Sequence, residues 1–386
     1  MTTTPTSPVT VAPTGRGVTD RTFARHGVAG SDRLRWFLDG VAAAFAATGY
    51  EPRDVAGPDL RVVLHAVDLE EPRPYRRRHA PTFVVAVAEV PVRPRDRLRV
   101  GYPVLVRALA NVVVLVSADD PPAAHFVTLE QGLTTIDHDG DDATFFGRVF
   151  EQLLPLASSR LVIANEFCAD LEPALREGDE QTRQIERAGV HLDTLHLLPN
   201  PFPIENLLTE RDLRHVKLLY GIGGLSYGNL SARRQPPTAS GYGPEYWMSA
   251  SGVDKARLRA IGRDVLLVRG YDPVRDAMVL AVPPGIAPNR VSVDAIEHWM
   301  IYREHPDVGA IVHVHAWIDG TPATEIAYPC GTLELADAVA EVVRQAPDPT
   351  RAVVGQRRHG LTITGRDLDD IFERIDGRIV PQVPMD

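Results

Sequence analysis

Three histidines carry the first chemical signal in this sequence. His313 and His315 flank Val314 at the end of Val308-Gly309-Ala310-Ile311-Val312, a run that reads as a buried strand. Residues two apart on a strand point to the same face, so both imidazoles can meet one cation. Two ligands do not make a site, and an H-x-H pair also occurs as ordinary half-buried strand residues. A third candidate is His359, just past a short strand at 352–355, where the following Gly360 lets the backbone approach another segment.

Such a trio needs a sheet beneath it and helices around it, and the periodicity downstream of residue 204 supplies them. The spacing predicts a helix over 209–220, strands at 228–233 and 265–268, a helix over 292–305, the strand 310–315, a helix over 332–345 and a last strand at 352–355. Upstream, Leu34, Phe37, Leu38, Val41 and Phe45 recur at helical spacing, and β-branched runs follow at 60–67, 83–90 and 112–116. Helices are expected near 103–110 and 145–156, the second leading into 161–164. Both halves therefore read as α/β. Prolines 199, 201 and 203 break all periodicity and mark the expected boundary. The expected organisation is a disordered Thr- and Pro-rich tail over 1–25, an α/β domain of unknown role over 26–198, and a second domain over 204–386.

Taken together, the stretch from 220 to 365 resembles the class II aldolase and adducin family. The likeness is carried by Gly228-Asn229-Leu230-Ser231-Ala232-Arg233, by Met248-Ser249-Ala250-Ser251-Gly252-Val253, and by Ser292-Val293-Asp294. It continues through Tyr302 with Pro306-Asp307-Val308, the His313–His315 pair, Gly331-Thr332 with Glu334-Leu335-Ala336, and His359-Gly360-Leu361. The resemblance implies an α/β/α domain that binds one divalent metal through His313, His315 and His359. Zinc is the expected ion, with iron or manganese as alternatives. Three neutral imidazoles leave such an ion charged and open to substrate oxygens, so the implied reaction is retro-aldol cleavage of a small hydroxylated oxo compound through a metal-bound enediolate. Sugar-phosphate 4-epimerisation and dehydration use the same chemistry. An iron-dependent oxygenase and a non-catalytic adducin-like interaction module are the readings from other classes.

The resemblance places Asp294 beside the metal as the proton-transfer group, although an Asp at a helix start is also an ordinary cap. Aldolases of the family commonly have Glu there and the epimerases Asp. Asn229, Ser251, Gly252 and Ser292 fall where the family binds a substrate anion, and Val293 removes a donor that sugar-phosphate enzymes often carry. Several family enzymes take a second proton donor from a C-terminal tyrosine across a subunit interface. No tyrosine follows Tyr328 here, so Tyr328 is the candidate for that role. His298 and His305 are expected as surface or packing residues. A homotetramer with the pocket near an interface is also implied by the resemblance.

The bulk numbers narrow the remaining classes. A net charge of −10 argues against a nucleic-acid partner, and the cluster Arg73, Arg76, Arg77 and Arg78 is too short to reverse that. No apolar run is long enough for a bilayer and the N-terminus lacks a secretory pattern, so a cytoplasmic protein that engages no membrane is expected. Cys168 and Cys330, the two cysteines, are expected as buried thiols.

Overall fold

The computed structural model describes residues 21–57, 60–79, 82–128, 133–198, 204–220, 226–236 and 239–384. The chain forms two large sheets. The first runs, in spatial order, Glu51–Pro52, Thr22–His26, Val62–Ala66, Phe83–Val90, Val112–Ser117, Ala123–Thr128 and Leu133–Asp137. Its first five strands are parallel and the last two antiparallel. Val112–Ser117 is buried at every position, as a strand covered on both faces must be. Helices Asp32–Ala47 and Asp142–Ser158 cover one face, through Phe37, Phe45, Phe145 and Val149. Helix Arg97–Ala108 covers the other.

The second sheet carries the histidines. Its order is Val353–Gln356, Gly360–Gly365, Ala310–Val314, Asn229–Arg233, Tyr246–Ser249, Val265–Asp272, Ala277–Ala281 and Ala164–Cys168. All neighbours are antiparallel except the last pair. Helices Ala295–Glu304 and Leu333–Gln345 pack on one face around Ile296, Trp299, Leu335 and Val339. Glu180–Thr194 and Leu368–Ile375 pack on the other around Ile185, Leu192, Ile371 and Phe372. The result is an α/β/α sandwich, with the strand Ala310–Val314 near its middle.

Several elements depart from the expectation. Thr22–His26, whose first four residues composition assigns to the tail, is a strand with Phe23 and Ala24 buried on opposite faces. Its five residues carry too little periodicity to be seen, and their order comes from pairing with Val62–Ala66. Residues 1–20 lie outside the described residues, as do the prolines 199, 201 and 203.

The division of the chain at those prolines is not the division between the sheets. Ala164–Cys168 and Glu180–Thr194, which precede them, belong to the second sandwich. Leu207, Leu208 and Leu213, which follow them, pack on the first. Arg107 donates from Nη2 to Asp212 at 2.8 Å and from Nε at 3.0 Å, tying helix Glu210–Tyr220 to helix Arg97–Ala108. A proline cluster reports a break in local structure, whereas core sharing is set by side chains far apart in sequence. Cys168 and Cys330 are half-buried, and neither forms a disulfide. No helix among the described residues is long and apolar enough to cross a membrane.

Candidate active site

His313 lies within the strand Ala310–Val314 and His315 one residue past its end, so the alternation of the strand turns both rings to one side. His359 closes the turn before Gly360–Gly365, the strand that pairs with Ala310–Val314. Two glycines let the backbones close in. A Cβ on Gly360 would stand 2.2 Å from the Val314 carbonyl oxygen, and one on Gly228, whose φ is +70°, would stand 2.3 Å from that of His313. The ring centroids are 5.2 Å apart for His313 and His315, 4.9 Å for His313 and His359, and 4.8 Å for His315 and His359.

The rings are buried, with exposures of 0%, 7% and 3% for His313, His315 and His359. His313 Nδ1 lies 3.1 Å from the Leu361 carbonyl oxygen, which makes Nδ1 the donor and leaves Nε2 with its lone pair. That Nε2, His315 Nδ1 and His359 Nδ1 are buried with no hydrogen-bond partner among the described residues. Burial draws His313 down to about 4 and His359 to about 3, and holds His315 well below its ordinary value. All three imidazoles are therefore neutral at pH 7, the form that offers a lone pair. One ligand nitrogen of each lies within 4.8 Å of the others. That spread is wider than the roughly 3.4 Å between nitrogens on one tetrahedral zinc, so the rings converge on a common centre without closing on it. Buried nitrogens with nothing to bond, in an all-imidazole set, fit a divalent cation.

Asp294 lies beside them. It occupies the N-cap of helix Ala295–Glu304, yet its side chain makes no capping hydrogen bond. The carboxylate is instead held by Asn229, whose Nδ2 donates to Oδ2 at 2.7 Å and to Ser292 Oγ at 3.1 Å. Oδ1 has no hydrogen-bond partner among the described residues. Burial raises the affinity of Asp294 for a proton, against the opposing pull of His359, Asn229, the Gly331 amide and Lys255.

A cavity of about 150 Å³ opens on this group. Asn229, Ser251, Gly252, Ser292, Asp294, His315 and His359 all line it, and His313 sits behind them. Tyr328 does not line it; that side chain packs against the core under helix Leu333–Gln345. His298 and His305 are not brought to the trio. His298 is fully buried, where it bonds Ser231 Oγ at 2.7 Å.

Lys255, Tyr227 and Cys330 line the same cavity and escaped the sequence reading. The Tyr227 ring lies 5.4 Å from that of His315. Lys255 falls in the polar run Asp254–Arg257, which reads as a solvated loop, and nothing local signals its burial. Glu297 was missed for a similar reason. It lies in the core, where Thr362 Oγ1 donates to Oε1 at 2.5 Å and Gln356 Nε2 to Oε2 at 2.8 Å. Burial, with the Asp294 charge second, pushes its carboxyl up to about 8.

No curated protein matches the chain. Among solved structures, an L-fuculose 1-phosphate aldolase matches at 17% identity, over 52% of this chain and 81% of the other, with a TM-score of 0.32. An aldolase II superfamily protein from Pseudomonas syringae matches at 16% identity, over 53% and 73%, also with a TM-score of 0.32. The family model described as the Class II Aldolase and Adducin N-terminal domain matches residues 214–324, a segment that holds Asn229, Ser251, Ser292, Asp294, His313 and His315 and ends before His359. Within this chain, residues 214–324 are thus the segment similar to the class II aldolase and adducin family.

Proposed function

We propose that the protein is a metal-dependent lyase of the aldol type, acting on a small hydroxylated oxo compound, with His313, His315 and His359 as the metal ligands. The observation that carries this reading is the convergence of three buried, unpartnered imidazole nitrogens beside a buried carboxylate at a cavity. A divalent cation held there, zinc by the preference of an all-nitrogen set and otherwise iron or manganese, would supply Lewis-acid polarisation of a substrate carbonyl.

The protein's own groups do the rest. Asp294 moves the proton at Oδ1, the oxygen left without a partner, while Asn229 fixes the carboxylate through Oδ2. Desolvation raises the affinity of Asp294 for a proton, which suits a group that must accept one and return it. Ser251 and Gly252 line the part of the cavity available to the remainder of the substrate. The short side chain of Asp294, where related aldolases carry Glu, favours 4-epimerisation as the second reading. An interaction module without chemistry would have no need of three intact, desolvated histidines.

The test is proton exchange. Metal-loaded protein incubated with dihydroxyacetone or hydroxyacetone in D₂O should exchange the proton beside the carbonyl, as read by NMR, and chelation should abolish the exchange. Exchange that persists after the metal is removed would contradict the reading. The resemblance also brings a homotetramer with it, so light scattering should give a multiple of 42.3 kDa, and the monomer mass would remove that expectation.

A further inference from the structure

We propose that Lys255 is the anchor for a carboxylate on the substrate, which makes the substrate a small hydroxy-oxo acid. The inference rests on the reading of the cavity as the reaction site. Of the 41 lysine and arginine residues in this chain only Lys217 and Lys255 are lysine. A chain that uses arginine almost everywhere keeps at this cavity the compact point charge that a guanidinium cannot imitate.

The side chain is placed with care. Lys255 opens the short turn Lys255–Arg257, capped by Asp254, and its backbone N–H donates to Ser226 Oγ at 3.0 Å. Helix Glu180–Thr194 presses against it so closely that a Cβ on Gly189 would lie 1.9 Å from the Lys255 carbonyl oxygen. Nζ donates to the Ser226 carbonyl at 2.7 Å, and its other two hydrogens have no hydrogen-bond partner among the described residues. The residue is 2% exposed and lines the cavity. A buried ammonium with unspent donors calls for an anion. Burial draws it down to about 8, which leaves it mostly charged at pH 7.

The neighbouring donors distinguish the kind of anion. Both amide hydrogens of Asn229 are spent, on Ser292 and on Asp294, and Val293 has none to give. The hydroxyls of Ser251 and Ser292 remain, and beside them Lys255 is the lysine that lines the cavity. One lysine matches a monoanion, and no second lysine or arginine among the described residues lines the cavity to grip a phosphate dianion. A cavity of about 150 Å³, below the roughly 300–1,000 Å³ of drug-sized sites, suits a compound of few heavy atoms.

The experiment is calorimetric titration of the full-length protein, metal-free and zinc-loaded, with glycolate, its neutral isostere glycolamide, and inorganic phosphate. Wild type should prefer glycolate to glycolamide by roughly tenfold or more, as a charge-assisted bond gives. Lys255→Met should lose that preference in both forms with zinc content unchanged. A preference that survives in Lys255→Met overturns the proposal, as does phosphate bound more tightly than glycolate. Should Lys255→Met not fold, wild type decides: glycolate, and not glycolamide, should slow carbamylation of Lys255 by cyanate, read by peptide mass spectrometry. Equal protection by the two overturns it. Zinc bound stoichiometrically without the glycolate preference counts against this proposal alone. The preference without zinc binding counts against the metal reading alone.

Discussion

Asn229 and Asp294, 65 residues apart, are joined by a 2.7 Å hydrogen bond in which the amide donates to Oδ2. The bond, with the missing capping contact, separates two roles for the acid. Because no helix donor depends on the side chain, Asp294→Asn should leave the melting temperature almost unchanged while turnover falls by roughly two to four orders of magnitude. Proton exchange by the variant at the wild-type rate would remove Asp294 from the chemistry.

Gly360 tests the placement of His359 without touching a ligand. Its α-hydrogen faces the Val314 carbonyl, where a Cβ would intrude to 2.2 Å. Gly360→Ala should push the two segments apart and weaken zinc binding by roughly 10- to 100-fold, as losses in the support of a metal site do. Competition with a chromogenic chelator measures it, and unchanged affinity would show that the turn can yield.

Glu297 gives a pH prediction whose sign can be worked out. Its carboxyl is raised from 4.5 to about 8 by burial first and the Asp294 charge second, so between those values the folded state keeps a proton that the unfolded chain releases. Stability from this group is full below about pH 4.5 and is lost as pH rises through about 8. Metal-free Glu297→Gln, which cannot ionise, should therefore lose less stability than wild type between pH 5 and pH 9. Parallel denaturation curves for the two proteins across that range would contradict the assignment.

The crossing of the chain between the two sandwiches predicts that truncation at the prolines fails. A chain beginning at Ile204 lacks Ala164–Cys168, the partner of Ala277–Ala281, and the helix whose Ile185 and Leu192 complete one core face. It would also expose Leu208, buried against the first sheet. Such a fragment should be insoluble or molten, as near-UV circular dichroism would report. A soluble fragment with a sharp melting transition would show that residues 204–386 fold alone.

The histidine trio and its sheet were legible because the His313–His315 pair ends a continuous apolar run from Val308, and because helical spacing over 295–304 and 333–345 is a local signal. The strands Tyr246–Ser249 and Ala277–Ala281 were missed, being short and fully buried, without alternation, and Gly360–Gly365 because its alternating Leu361-Thr362-Ile363-Thr364 is only four residues between two glycines. Ala123–Thr128 and helix Glu180–Thr194 were missed as well, the helix because its apolar positions are few and small. Lys255 shows the limit most clearly. Its burial is created by Ser226 and Gly189, and no window of sequence around it contains either. Tyr328 was chosen because no later tyrosine exists, which is an argument about the chain's order and not about space; Tyr227 is the tyrosine at the cavity.

Zinc content tests most directly whether the three histidines hold a metal. Full-length wild type and His359→Ala, saturated with zinc and then dialysed, should be measured by elemental analysis. His359 is the informative ligand, since it lies beyond the segment 214–324 that matches the family. Wild type should hold about one zinc per chain, and retention should be lower by an order of magnitude or more in the variant. Stoichiometric zinc in His359→Ala, or none in the wild type, would contradict that reading.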